Sequence, residues 1–180
     1  MSGKNLTWEL VHDEQIVKDR WMDMKAATYR LPDGREVGPF YHYSRKDFVV
    51  IVAVDENGDF VCVRQFRQGI GRITTEFPAG GLEDGESPLD AARRELAEET
   101  GSTCGEMKLL MSVPAAPTIS SNTCHIVLAE NCRPTGEQSP DPYEFIEICT
   151  VGSGEMETLI HSGEFPQPGH IMAWLLWKNL

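Results

Sequence analysis

Residues 80–102 read GGLEDGESPLDAARRELAEETGS, and the helix inside this stretch decides the fold. Ser87 is a good N-cap. Pro88 suits the first helical position, where its missing N–H costs nothing, and Asp90 suits the positive end of the helix dipole. Ala91 to Glu99 are mostly strong helix formers, and Gly101 is placed to end the helix in a left-handed conformation. Glu95 and Glu99 stand four residues apart and Glu98 three from Glu95, so all three project from one side. Like charges at that spacing repel. On its own, an E-x-x-E-E run reads as a solvated acidic face. It becomes favourable when Mg²⁺ or Mn²⁺ sits among the carboxylates, because hard cations take oxygen ligands and neutralise the repulsion.

Outward from the helix the chain reads as strands. Upstream, Ile73 to Phe77 is a short strand leading into a turn at Pro78-Ala79-Gly80-Gly81. Asp47 to Val54 is nearly continuous apolar sequence, the pattern of a strand covered on both faces, and Asn57-Gly58 turns it into a hairpin with Asp59 to Phe66. Further back, Trp8 to Val17 and Trp21 to Leu31 suit a pleated surface, and Pro32-Asp33-Gly34 turns into Arg35 to Tyr43. Downstream, Met107 to Val113 and Thr123 to Ala129 are expected strands and Thr135 to Pro142 a polar loop. Phe145 to Val151 is a further strand, Glu155 to Ser162 a short helix, and His170 to Leu180 a closing helix with an apolar stripe. The pattern is α/β with a mixed sheet.

Composition bounds what the helix can be for. The 180 residues, 41% hydrophobic and 24% charged, suit one compact domain. The formal charge of -12 argues against a protein that grips nucleic acid along a basic face. No run approaches the roughly 18 apolar residues that span a bilayer, and Met1 to Asn5 lacks the basic and apolar regions of a signal peptide, so no membrane partner is expected and the cytoplasm is the expected location. Five cysteines, odd in number and without a C-x-x-C pair, read as reduced thiols. The five histidines show no metal-ligand spacing, and His125 reads as a packed or hydrogen-bonded residue.

The spacing in residues 80–102 is more specific than any acidic face. Gly80, five residues, Glu86, seven residues and then Arg94-Glu95-Leu96-Ala97-Glu98-Glu99-Thr100-Gly101 resembles the signature of the Nudix hydrolases. Every fixed polar and glycine position is matched; Ser102 stands where the family usually has an aliphatic residue, a difference of packing more than of chemistry. The resemblance extends from Leu31-Pro32-Asp33-Gly34-Arg35 through Val63-Arg64-Gln65-Phe66-Arg67 and Glu76-Phe77-Pro78-Ala79-Gly80 to the final helix. It implies a Nudix-type α/β/α sandwich with a mixed sheet over residues 46–180. Residues 1–45 would be amino-terminal β-strands that extend it for dimerisation and substrate binding.

The same resemblance implies roles. Glu95 and Glu99 would be the main metal ligands, with Glu98 a further ligand or the water-activating base, and the Ala79 carbonyl would complete the shell around Mg²⁺ or Mn²⁺. Gly80 and Gly81 would let the backbone turn sharply and approach a phosphate. Arg94 would pair with nearby glutamates, Glu86 included, and hold them in ligating rotamers. A catalytic base in the family often comes from a late loop, which brings in Glu144, the nearer to the loop, and Glu147.

Within the family the resemblance is to ADP-ribose pyrophosphatases and related nucleoside diphosphate sugar hydrolases, through the R-Q-F-R stretch and Pro117. Arg64 and Arg67 are candidate diphosphate contacts, since a planar guanidinium holds two phosphate oxygens. Three apart on a strand, they should face opposite sides, which favours Arg67. Glu76 would lie near the substrate. Members commonly carry Ser-Pro-Gly and then a glutamate where this chain has Ala116-Pro117-Thr118 and Ser120-Ser121-Asn122, which keeps GDP-mannose and other nucleotide sugars in play. The subfamily often exchanges amino-terminal strands in a homodimer and stacks a base there, with Trp8, Trp21, Phe40, Tyr41 and Tyr43 in the corresponding region. The implied reaction is metal-dependent hydrolysis of ADP-ribose to AMP and ribose 5-phosphate. The alternatives are a nucleoside triphosphate or dinucleoside polyphosphate hydrolase and a silent nucleotide-binding module.

Overall fold

A computed structural model describes residues 3–20 and 22–180. Trp21, a candidate base-stacking residue and the expected start of the second strand, lies outside the described residues. Contacts divide the chain into two units: the described residues of Met1–Lys46 with Pro114–Asn122, and Asp47–Val113 with Thr123–Leu180.

The first unit is an antiparallel meander of β1 (Glu9–Lys18), β2 (Asp23–Arg30) and β3 (Glu36–Ser44). Trp8, Tyr29 and Phe40 group their rings with centroids 5.5–6.0 Å apart, Tyr29 being a member that the sequence reading passed over. Residues 114–122 belong to this unit, although a division at 45/46 would place them in the other: the Tyr43 N–H donates to the Ile119 carbonyl, and Tyr43 bridges Ser120. Pro117 therefore sits in a loop of the first unit.

The second unit is built around β4 (Phe48–Asp55), the apolar run singled out in the sequence. It pairs in parallel with β10 (Thr123–Pro134) and antiparallel with β5 (Phe60–Arg67) and β7 (Ala79–Gly81). On β5 lie β6 (Arg72–Glu76) and β11 (Glu147–Val151); on β10 lie β8 (Ser102–Thr103) and β9 (Glu106–Pro114). Strand alternation sends Val49, Ile51 and Ala53 to α1 (Pro88–Thr100), where Ala91, Ala92 and Leu96 cover them. Val50, Val52 and Val54 go to the other face, against Met156 of α2 (Ser153–Ser162) and Ala173 and Trp174 of α3 (Pro168–Lys178). The fold is thus an α/β/α sandwich on a mixed sheet.

Local chemistry explains the element ends. The Ser87 hydroxyl accepts from the Asp90 N–H at 3.2 Å, and Gly101 ends α1 at φ 62°. Two expectations need correction. The turn expected at Pro78 to Gly81 contains a short strand, because Ala79, Gly80 and Gly81 pair with Val50, Val49 and Phe48. The strand expected from Phe145 begins at Glu147, where pairing with Arg64 of β5 starts, and Phe145 stays in solvent. The five cysteines are free thiols.

Candidate active site

β7 and the inward face of α1 meet at the glutamates. The Ala79 N–H donates to Oε2 of Glu99 at 2.9 Å, and Glu99 is only 2% exposed. A Cβ built on Gly80 would lie 2.0 Å from the Glu95 carboxyl carbon, so this glycine is the space that the Glu95 carboxylate occupies. Gly81 offers its carbonyl to Arg94 at 2.9 Å.

Arg94 binds three carboxylates at once. Nε and one terminal nitrogen grip Glu86 at 3.0 and 2.9 Å; the other terminal nitrogen reaches Glu95 at 2.7 Å and Glu98 at 3.0 Å. The pair with Glu98 at i,i+4 is thus one contact among several rather than the whole role of Arg94. These acceptors, Glu86 first, hold the guanidinium above its ordinary pKa. Its forked donors fix the rotamers of the acids around it.

The electrostatics are those of carboxylates short of positive charge. Burial pushes Glu99 up to about 8, the Ala79 N–H opposes this, and the charges of Glu95 and Glu144 add to it. Burial raises Glu95 as well, with Glu98 and Glu144 contributing in the same direction. A divalent cation would relieve this, and the donors are the oxygens such a cation takes. Residues present therefore fit a hard divalent ion, with Glu95, Glu98 and Glu99 as the acids able to hold it. As they stand, the carboxylates are engaged by Arg94 and the Ala79 N–H, and among the described residues no three acidic, histidine or cysteine side chains converge on one point.

Glu144 reaches this cluster by charge. It follows the loop that docks on the end of α1, where the Ser139 N–H donates to the Glu98 carbonyl at 2.9 Å and the Gln138 side chain to that of Glu99. The Glu144 carboxylate accepts from the Asp141 N–H at 3.2 Å and is otherwise open to solvent. Glu147 instead forms an exposed ion pair with Arg64 at 3.0 Å.

The structure separates the remaining candidate substrate contacts, with Arg64 and Arg67 on opposite sides as their spacing suggested. Arg64 turns away into that surface pair, on the opposite side of β5 from Arg67, so a substrate contact by Arg64 gains no support. Glu76 is sealed at 0% exposure, held by both Arg67 Nε at 2.8 Å and a terminal Arg67 nitrogen, and cannot touch a substrate itself. Arg67 keeps a third of its side chain in solvent, and the charges of Glu99 and Glu144 act on it. No sequence spacing marks this pairing, because the hairpin puts Arg67 opposite Arg72 and Glu76 opposite Val63, so the two lie four residues out of register. His125, by contrast, is hydrogen-bonded to the Ser112 hydroxyl at 2.8 Å, as its strand setting suggested.

The class these features define is the Nudix one. The family description NUDIX domain matches residues 44–175, and the chain belongs to the Nudix hydrolase family. Enzymes of this family generally need a divalent metal. The chain is 31% identical over 166 residues to the ADP-ribose pyrophosphatase of Bacillus subtilis (strain 168), with 89% of this chain and 87% of that protein covered. It is 32% identical over 173 residues to the ADP-sugar pyrophosphatase of Mus musculus, with 87% and 77% covered. A solved structure described as "Crystal structure of ADP compounds hydrolase" shares the fold, with a TM-score of 0.87 at 22% identity over 98% of this chain and 96% of that one. Among the described residues no helix is long and apolar enough to cross a membrane.

Proposed function

We propose that the protein hydrolyses the diphosphate bond of ADP-ribose, and of other nucleoside diphosphate sugars, to a nucleoside monophosphate and a sugar phosphate. The observation that carries this reading is the seating of Glu95 and Glu99 against Gly80 and Ala79, with the Arg67 guanidinium within reach of the Glu99 charge. The names of the relatives support the substrate class.

Glu95, Glu98 and Glu99, with the Ala79 carbonyl, would hold Mg²⁺ or Mn²⁺. When bound, the ion withdraws charge from the diphosphate and lowers the pKa of its water. Arg94 keeps the glutamates in place, acting through them rather than on the substrate. Arg67 offers the N–H groups left free by Glu76 to phosphate oxygens, and Gly80 leaves room beside the backbone for the Glu95 carboxylate. Glu144 is the preferred base, taking the proton from the attacking water, with Glu98 the alternative. The working form is a homodimer, for which the support is the apolar side chains Leu10, Val11, Ile16 and Val17 that β1 leaves exposed. Five unpaired thiols support a cytoplasmic location.

The test is product analysis of the pure protein with Mg²⁺ against ADP-ribose, ADP-glucose, GDP-mannose, UDP-glucose, diadenosine polyphosphates and nucleoside triphosphates. AMP and ribose 5-phosphate, formed fastest from ADP-ribose, support the reading. Equal rates across the sugars favour a broad nucleotide-sugar hydrolase, in line with the altered Pro117 loop. Silence on every sugar would overturn it.

A further inference from the structure

We propose that Glu76 is a positioning residue for Arg67, fixing the guanidinium so that its remaining N–H groups face the diphosphate. This rests on the reading of Arg67 as a diphosphate contact. A buried ion pair is a weak source of stability, because taking two charges out of water offsets most of their attraction. Here only one end is buried: Glu76 is fully enclosed, while Arg67 keeps a third of its side chain in solvent, where the charges of Glu99 and Glu144 act on it. That asymmetry suits a tether whose anchor is in the core and whose free end works in solvent.

The anchor is itself braced from two elements. The Thr74 hydroxyl donates to Oε1 of Glu76 at 2.6 Å, from within β6. The Gln167 side chain approaches the same oxygen at 3.4 Å, from the N-cap of α3. Nδ1 of the buried His170, in the first turn of α3, accepts from the Phe77 N–H at 3.1 Å and pins the helix to the residue next to Glu76. Burial works to protonate Glu76, but the Arg67 bonds, His170 and the Thr74 hydroxyl together outweigh it and keep the carboxyl below its ordinary pKa. Glu76 is thus a charged acceptor whose own position is fixed on every bonded side. Without it, Arg67 would be a flexible cation in the field of two other carboxylates, free to turn from the substrate.

A double-mutant cycle on ADP-ribose hydrolysis tests this, with the full chain and Mg²⁺ and with KM and kcat measured separately. Arg67→Ala and Glu76→Gln should each raise KM about tenfold, the equivalent of one charge-assisted hydrogen bond, while kcat changes less than about threefold. The double variant should be no worse than Arg67→Ala alone, because Glu76 acts only through Arg67. A merely structural Glu76 would instead give multiplied effects, and that result overturns the proposal. So does an unchanged KM in Glu76→Gln when Arg67→Ala is impaired. An unchanged KM in Arg67→Ala overturns the substrate reading of Arg67, and with it this one. Should Glu76→Gln fail to fold, Thr74→Val carries the test: it removes one brace from Glu76 with little change of shape, and KM raised a few-fold supports the proposal while an unchanged KM overturns it.

Discussion

Ala79 donates its backbone N–H to the Glu99 carboxylate at 2.9 Å, joining a three-residue strand to the last turn of the helix that carries the acids. A glutamine at 99 can still accept that bond. Glu99→Gln should therefore fold with a melting temperature within about 2 °C of the parent. It should also lose at least about two orders of magnitude in kcat, since a charged oxygen ligand is gone. Thermal melts and steady-state rates measured on the same preparation decide it; a full rate would remove Glu99 from the metal site.

Gly80 is required for space rather than for backbone freedom, since it is not among the glycines with positive φ. In Gly80→Ala the new Cβ would meet the Glu95 carboxyl at 2.0–2.3 Å, so the carboxylate has to move. A flexible side chain can do so without unfolding the protein. The expected result is near-parental stability with affinity for Mn²⁺ lowered about tenfold, as for losing one well-placed ligand or its support, read by calorimetry without substrate. Unchanged Mn²⁺ affinity would show that Glu95 does not hold the ion.

Much of this site is local in the chain, which is why it was legible. The glutamates of α1, its Ser87 and Gly101 ends and the partners of Arg94 lie within 23 residues, Gly80 to Ser102, where helical periodicity dictates who faces whom. The doubly covered central strand was legible from the unbroken apolar run of β4, whereas the sandwich around it followed from the family resemblance. What escaped were contacts that depend on how elements pack. Glu76 reads as any strand acid until β5 and α3 close over it, and Gln167 and His170 lie more than 90 residues from it along the chain. The strand at Ala79–Gly81 was hidden because two glycines read as a turn, whereas here the small size of Gly80 permits close approach to α1.

The raised Glu99 predicts how stability follows pH when no divalent cation is present. Its folded value is about 8 against an ordinary 4.5, so between those limits the folded chain keeps a proton that the unfolded chain has lost. Stability from this group is then present below 4.5 and falls as pH rises through about 8. Glu95, raised in the same sense, adds to the trend. In EDTA the melting temperature should drop from about pH 6 to about pH 8.5, and Glu99→Gln should flatten the drop. Added Mg²⁺ should raise the melting temperature more at the higher pH, where it need not displace the proton. The same Mg²⁺ shift at both pH values would contradict a protonated Glu99 in the ion-free site.

Glu144 is exposed, and its charge is felt by Glu95, Glu99 and Arg67 together, so its removal separates proton transfer from ion binding. Glu144→Gln keeps an acceptor for the Asp141 N–H and should leave the loop docked through Ser139 and Gln138. It should lower kcat about a hundredfold or more, the usual weight of a positioned general base, with KM for ADP-ribose nearly unchanged. Mn²⁺ affinity should stay within about threefold, because Glu144 acts on the ion's ligands only at a distance through solvent. Glu98→Gln is the matched comparison, since Glu98 is held by Arg94 within the ligand cluster. A loss of rate in Glu98→Gln at unaltered Mn²⁺ affinity, together with a full rate in Glu144→Gln, would move the proton-accepting role from the loop to the helix.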